Sequence, residues 1–213
     1  MTHTFSFFGS FETKHNPEWW WIFSMAMTFW GLATIPLTCY IFQRFRPISF
    51  AGATIGAFLF LCGGVGLIGV ALFPDARGAV IGTWEWTEIH EKAAVMTAIG
   101  FGLGFPWHGI LLLKQRFSRK QIPYRFQFHR FVLPYAFWGS IFSVAAYFLG
   151  KWEFVYAEMK ANARATGESI GSSWSEAMNT IYSFPLWENI LIYAMFIFLL
   201  WFSLTLPNEE DAR

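Results

Sequence analysis

The sequence predicts an all-α integral membrane protein, a bundle of about five transmembrane helices. Hydrophobic residues make up 55% of the chain and charged residues only 14%, whereas soluble domains carry about 25% charged residues. Two stretches contain no charged residue at all, from Trp19 to Phe42 and from Phe50 to Phe73. Each is long enough to cross the roughly 30 Å hydrocarbon core as a helix, which satisfies its own backbone groups where lipid cannot.

Five apolar spans follow one another along the chain. The third is interrupted by Pro106 and the fourth by Pro134, and a proline inside a helix removes one backbone donor and favours a kink. In chain order the predicted spans run from Trp19 to Phe42, Phe50 to Phe73, Ala93 to Leu113, Phe131 to Leu149 and Leu186 to Leu206.

The distribution of basic residues predicts the topology. Arg44 and Arg46 lie in the short connection 43–49, and six more basic residues lie in the connection 114–130. The positive-inside rule places both connections in the cytoplasm, so that the N-terminus is outside and the C-terminus inside the cell membrane. Eleven of the fourteen acidic residues then lie on the outer side.

This topology divides the chain into three parts. Residues 1–18 form an outer N-terminal segment, residues 19–206 form the five-helix transmembrane domain, and residues 207–213 form a cytoplasmic tail. Within the transmembrane domain, the outer loop 150–185 is predicted to be partly helical before a Gly/Ser-rich break at 167–173 and again from Trp174 to Tyr182. The aromatic residues in and beside this loop favour a cap that lies at the membrane interface as a connector, an interpretation preferred to a substrate lid.

Glycines recur at helical spacing in the second and third spans. Small residues at such spacing allow two helix backbones to approach closely in lipid, where packing drives association. We therefore expect the second and third spans to form a tight contact, an interpretation preferred to a cofactor groove. The glycines concerned are Gly52, Gly56, Gly63 and Gly66 in the second span and Gly100 and Gly104 in the third.

The first candidate site is a predicted outer cluster of Asp75, His90 and Glu188. An imidazole with carboxylates suits a divalent metal such as zinc, iron or manganese. In the simpler alternative, the acids lie in first helical turns because the helix dipole favours them there, which explains Glu88, Glu91 and Glu188 without a ligand. Under either interpretation, we expect His90 to form a hydrogen bond with Asp75 or Glu188.

The second candidate site is a pair of histidines on the predicted cytoplasmic side. His108 lies in the third span, close to the kink expected at Pro106, and His129 lies just before the fourth span. An ionisable side chain within a membrane span is a functional hypothesis by default. Axial histidines on facing helices can hold haem, so His108 and His129 are candidate haem ligands.

Other function classes have little support in the sequence. It contains no P-loop, nucleophile elbow, HExxH or CxxC motif, so the common motif-based enzyme classes are not indicated. The net charge of +1 gives no reason to expect nucleic acid as a partner.

One combination of motifs resembles a known family. The glycine-rich run from Gly63 to Gly69 precedes the turn Phe73-Pro74-Asp75, and His90 then opens the next span. This order is similar to that of the DRAM-like, Frag-type family of six-helix membrane proteins and its bacterial and archaeal relatives of unknown function. The resemblance implies fold and topology rather than an activity. The present chain has five spans, as though the first helix of the family were missing.

The leading functional interpretation is a non-catalytic multi-span membrane protein. It would bind lipid or act as an accessory subunit of a larger membrane complex, with membrane lipids and other membrane subunits as partners. The alternative is a metal- or haem-dependent membrane enzyme or redox subunit. Its site would lie at Asp75, His90 and Glu188 or at His108 and His129.

Overall fold

The computed structural model describes residues 18–74, 79–118, 126–167, 181 and 183–206. This part of the chain contains five helices and one two-stranded hairpin, and all five helices are long and apolar enough to cross a membrane. The predicted all-α bundle of about five long helices is thus confirmed at the level of the helices. The elements are α1 Trp20–Phe45, α2 Phe50–Leu72, β1 Val80–Ile81, β2 Trp84–Glu85, α3 Trp86–Phe117, α4 Phe128–Thr166 and α5 Phe184–Thr205.

Two helices extend well beyond the apolar spans predicted for them. Helix α3 begins at Trp86, whereas the predicted span begins at Ala93. The first two turns of the helix contain polar residues, so hydropathy does not include them in the apolar span. Helix α4 has 39 residues, which at about 1.5 Å per residue give roughly 58 Å, about twice the thickness of a bilayer core. The predicted outer loop therefore begins as a continuation of α4.

Helix α4 stops at the predicted glycine. Gly167 follows Thr166 and has a φ of +68°, the left-handed conformation that commonly terminates helices and that glycine adopts without steric cost. The start of the predicted Gly/Ser-rich break is confirmed, and its remaining residues lie outside the described part of the chain.

The described helices fall into two compact units, one containing α1 to α3 with the hairpin and the other containing α4 and α5. The predicted transmembrane domain, residues 19–206, includes both. In the first unit α2 packs against α1 and α3, so the glycine-rich helix is central.

The contact between α2 and α3 is made largely by glycine backbones. A Cβ atom added to Gly100 would lie 2.7 Å from the Cα of Gly63, and one added to Gly63 would lie 2.9 Å from the ring of Phe101. A Cβ added to Gly104 would lie 2.8 Å from the ring of Phe60. These distances leave no room for a side chain. The predicted tight contact between the second and third spans is confirmed.

A second close contact joins α1 to α2 and was not predicted. A Cβ added to Gly31 would lie 2.7 Å from the carbonyl oxygen of Gly64, and one added to Gly64 would lie 3.0 Å from the Cβ of Thr34. Gly64 thus faces α1 while Gly63 faces α3. Neighbouring glycines therefore serve opposite sides of the same helix.

Aromatic rings pack the second unit. Phe198 and Phe202 of α5 are fully buried, and their rings contact Tyr135 and Phe131 of α4 at centroid distances of 5.2 and 5.8 Å. The glycine Gly139 of α4, in contrast, would accept a Cβ with no atom within 4 Å.

Candidate functional site

His90 closes the C-terminal end of the neighbouring helix α2. Its Nδ1 lies 2.9 Å from the carbonyl oxygen of Phe73, the residue that follows the last helical residue Leu72. Carbonyl groups at a helix C-terminus have no partner within the helix and need one from elsewhere. The side chain of His90 is buried and supplies that partner from the second turn of α3.

The sequence places His90 there through local chain geometry. Pro74 follows Phe73, and a proline cannot donate a backbone hydrogen bond that would continue α2. The hairpin then returns the chain, and the backbone N–H of Trp86 donates to the carbonyl of Ala79 at 2.8 Å as α3 begins. Four residues into α3, the imidazole faces the end of α2.

This hydrogen bond determines which ring nitrogen of His90 can act on a ligand. A carbonyl oxygen only accepts, so Nδ1 carries the proton and donates. In the neutral ring Nε2 then has the free lone pair and is the nitrogen left for a metal or for a donor group. A backbone carbonyl commonly orients metal-binding histidines in this manner.

The predicted partners of His90 are placed as follows. Asp75 lies outside the described residues, and Glu188 lies half-buried in α5, which belongs to the other compact unit. Glu88 and Glu91 are exposed on α3, as expected for acids near a helix N-terminus. Within the described ranges no group of three or more histidine, cysteine or acidic residues could hold a metal ion. The hydrogen bond to Asp75 or Glu188, and the metal site, stay predictions.

His108 is almost completely buried in the first unit. Its Nδ1 lies 2.7 Å from the carbonyl oxygen of Gly104, one turn earlier in α3. Its ring stacks on Phe60 at 4.8 Å with an interplanar angle of 15°, and meets Phe45 edge-on at 4.9 Å. A Cβ added to Gly56 would lie 2.6 Å from Nε2, so this glycine makes room for the imidazole.

The contacts of His108 are those of a packed interior residue. An axial histidine presents Nε2 to iron, and the planar macrocycle must extend around that nitrogen. Here Nε2 faces the backbone of α2 at Gly56, and Phe60 covers one ring face. His129 is exposed near the start of α4. Haem ligation by His108 and His129 gains no support from this arrangement and stays a prediction.

Trp107 adds a polar contact that the sequence analysis missed. Its indole N–H donates to the carbonyl oxygen of Gly52 at 2.8 Å, across the interface between α3 and α2. The backbone N–H of Gly52 also donates to the hydroxyl of Ser49, which caps the N-terminus of α2. Trp107 and His108 therefore face Gly52 and Gly56. The i, i+4 spacing of these two glycines is the sequence feature that could have indicated this contact.

Comparison of the chain with protein-family models, curated proteins and solved structures finds no match. The resemblance to the DRAM-like, Frag-type family therefore stays an expectation based on the glycine-rich run, the Phe73-Pro74-Asp75 turn and His90.

Proposed function

We propose that this chain is a non-catalytic multi-span protein of the cell membrane that binds lipids and packs as an accessory subunit of a larger membrane complex. The observation that carries the proposal is the arrangement of the α1–α3 unit, whose glycine contacts and buried polar groups lie in the interior while large apolar side chains cover the exterior. Large apolar side chains are exposed on all three helices, among them Phe29 on α1, Phe58 on α2 and Leu103 on α3. A hydrocarbon environment would cover them favourably.

The interior of this unit supports a structural role for its polar groups. The indole of Trp107 and the imidazoles of His90 and His108 each contact a backbone carbonyl oxygen of the chain itself. The hydroxyls of Thr34 and Thr97 likewise donate to carbonyls one turn earlier in their own helices. Polar groups used in this way stabilise helix ends and helix contacts, which is the pattern expected of a packing subunit.

The proposed orientation has the N-terminus outside and the C-terminus inside. Arg44 lies in the last turn of α1, and Lys114 and Arg116 lie in the last turn of α3. Consecutive spans alternate in direction, so α1 and α3 would end on the same side of the membrane. Three basic residues on that side favour the cytoplasm.

A second candidate function is a metal-dependent membrane enzyme or redox subunit with a site at Asp75, His90 and Glu188. The specific support is the fixed tautomer of His90, whose Nε2 is the nitrogen suited to a ligand. Binding of zinc, iron or manganese at this nitrogen would require the carboxylates of Asp75 and Glu188 to reach the same metal ion.

One preparation distinguishes the two functions. The full chain is purified in mild detergent, and its metal content, visible absorption spectrum and bound phospholipid are measured together. We expect bound phospholipid, a melting temperature that rises when phospholipid is added back, and the same metal content in wild type and His90→Gln. A stoichiometric metal that is lost in His90→Gln, or a haem absorption band, would overturn the non-catalytic assignment.

A further inference from the structure

The short hairpin between α2 and α3 presents an apolar pair on one face. Its strands are antiparallel, with Ile81 paired to Trp84 and Val80 paired to Glu85. Gly82 has a φ of +62° and occupies the first position of the two-residue turn, where a glycine is required for that conformation. Because directly paired residues share a face of a hairpin, Ile81 and Trp84 lie side by side, opposite the face of Val80 and Glu85.

This pair is open to the surroundings and carries a cation. Ile81 is 51% exposed and Trp84 is 48% exposed, although both are large and apolar. The ammonium of Lys92, in the second turn of α3, lies 3.3 Å from the centre of the Trp84 ring. An exposed aliphatic side chain, an indole and an ammonium group thus lie together at the hairpin.

The position of the hairpin in the chain restricts what can cover the pair. It joins the end of α2 to the start of α3, and both helices are long and apolar enough to cross a membrane. Leu72, in the last turn of α2, is also an exposed apolar side chain. With α2 and α3 inserted in a bilayer, a hairpin between their ends would lie near the lipid headgroups.

We propose that Ile81 and Trp84 insert into the headgroup region of the bilayer and that Lys92 binds a phospholipid phosphate there. The inference rests on the proposed membrane insertion of α2 and α3 and specifies where the protein engages lipid. Indole rings are favoured at the membrane interface, where the ring is in a partly apolar layer and its N–H stays hydrated. A lysine can bury its methylene groups against such a surface while its ammonium reaches the phosphates.

Spin labels at three positions test the proposal. Ile81→Cys reports the apolar face, Glu85→Cys reports the opposite face of the same hairpin, and Val65→Cys reports the exposed side of α2 within the span. Each is made in the full chain with Cys39 and Cys62 replaced by alanine, and reconstituted in nanodiscs of phosphatidylcholine and phosphatidylglycerol. Collisions with oxygen, which concentrates in lipid, and with a water-soluble nickel chelate are measured by power saturation.

We expect the ratio of oxygen to nickel collisions at Ile81 to be several-fold higher than at Glu85 and lower than at Val65. Equal ratios at Ile81 and Glu85 would overturn the insertion. Protection of the Ile81 label from both reagents would overturn it too, because it would indicate a protein partner on this face. A label at Val65 exposed to water would instead overturn the membrane-spanning premise.

The role of Lys92 has its own matched comparison. We expect Lys92→Gln to lower the oxygen-to-nickel ratio at Ile81, because the lost contact with phosphate would let the hairpin move away from the bilayer. Lys114→Gln, which removes a lysine from the other end of α3, should leave this ratio unchanged. Equal ratios in wild type and Lys92→Gln would overturn the phosphate contact of this residue.

Discussion

The Nδ1 of His90 lies 2.9 Å from the carbonyl oxygen of Phe73, so that a side chain of α3 serves as the C-terminal cap of α2. The two residues are separated by the whole hairpin connection. The bond therefore fixes the positions of two helix ends relative to each other, whether or not a ligand binds at Nε2.

Loss of this cap is expected to destabilise the α1–α3 unit. His90→Ala leaves the part-buried carbonyl oxygen of Phe73 without its partner, which costs about 1 kcal/mol. His90→Asn should restore part of the loss, because its amide N–H can occupy the position of Nδ1. The melting temperature in detergent measures both, with His129→Ala at an exposed position as the control. A wild-type melting temperature for His90→Ala would show that the cap contributes nothing measurable.

Filling the glycine contacts between α2 and α3 is expected to separate the helices. Gly63→Leu and Gly100→Ala should each lower the free energy of unfolding by about 1 to 3 kcal/mol, because overpacking displaces neighbouring atoms. Gly139→Ala in α4 is the matched control, since its Cβ would meet no atom within 4 Å. Alanine there should be neutral or stabilising by up to about 1 kcal/mol through helix propensity. Equal effects at all three positions would contradict a specific α2–α3 contact.

Gly56 and His108 are expected to show energetic coupling. Gly56→Ala introduces a Cβ 2.6 Å from the position of Nε2, so it should be costly in the wild type and less costly in His108→Ala, where the Trp107 ring remains 3.3 Å from this Cβ. Thermal unfolding of the two single variants and the double variant gives the coupling, expected between about 0.5 and 3 kcal/mol. Strict additivity of the two changes would place the ring away from Gly56.

The topology makes a prediction about accessibility in intact cells. Single cysteines are introduced at Ser118 and at Ser172 in a chain lacking Cys39 and Cys62. The cysteine at 118 should react with a membrane-impermeant reagent only from the inside of the cell, and the cysteine at 172 only from the outside. The basic residues beside Ser118 favour the cytoplasm. Labelling of both cysteines from the same side of the membrane would contradict the topology.

The helices and the glycine contact between α2 and α3 were predictable because both depend on simple properties of the residues. A run of apolar residues of sufficient length implies a span, and glycines at helical spacing imply close backbones. The extent of α4 was not predictable in this way. Hydropathy reports compatibility with lipid, and the polar residues after Gly150 can form a helix equally well in water.

The hydrogen-bond partners of His90 and His108 could not be predicted from the sequence, for a different reason. Both contact backbone carbonyl oxygens, at Phe73 and Gly104, and every residue of the chain carries such a group. Sequence patterns highlight carboxylates as partners because they are rare and charged, so Asp75 and Glu188 were selected. The Phe73-Pro74 step was the available clue, since it marks a helix end that needs an external donor.

The direct meeting of α2 and α3 through Gly63 and Gly100 bears on how the protein would respond to bilayers of different thickness. Side chains at an ordinary helix interface can change rotamer and let the helices slide, but two backbones in contact have no such adjustment. A shift along either helix would move Gly63 or Gly100 out of this contact and bring a residue with a Cβ into it, where there is no room for one. The α1–α3 unit would therefore meet a thinner or thicker membrane by tilting as a whole, with the register of its helices unchanged.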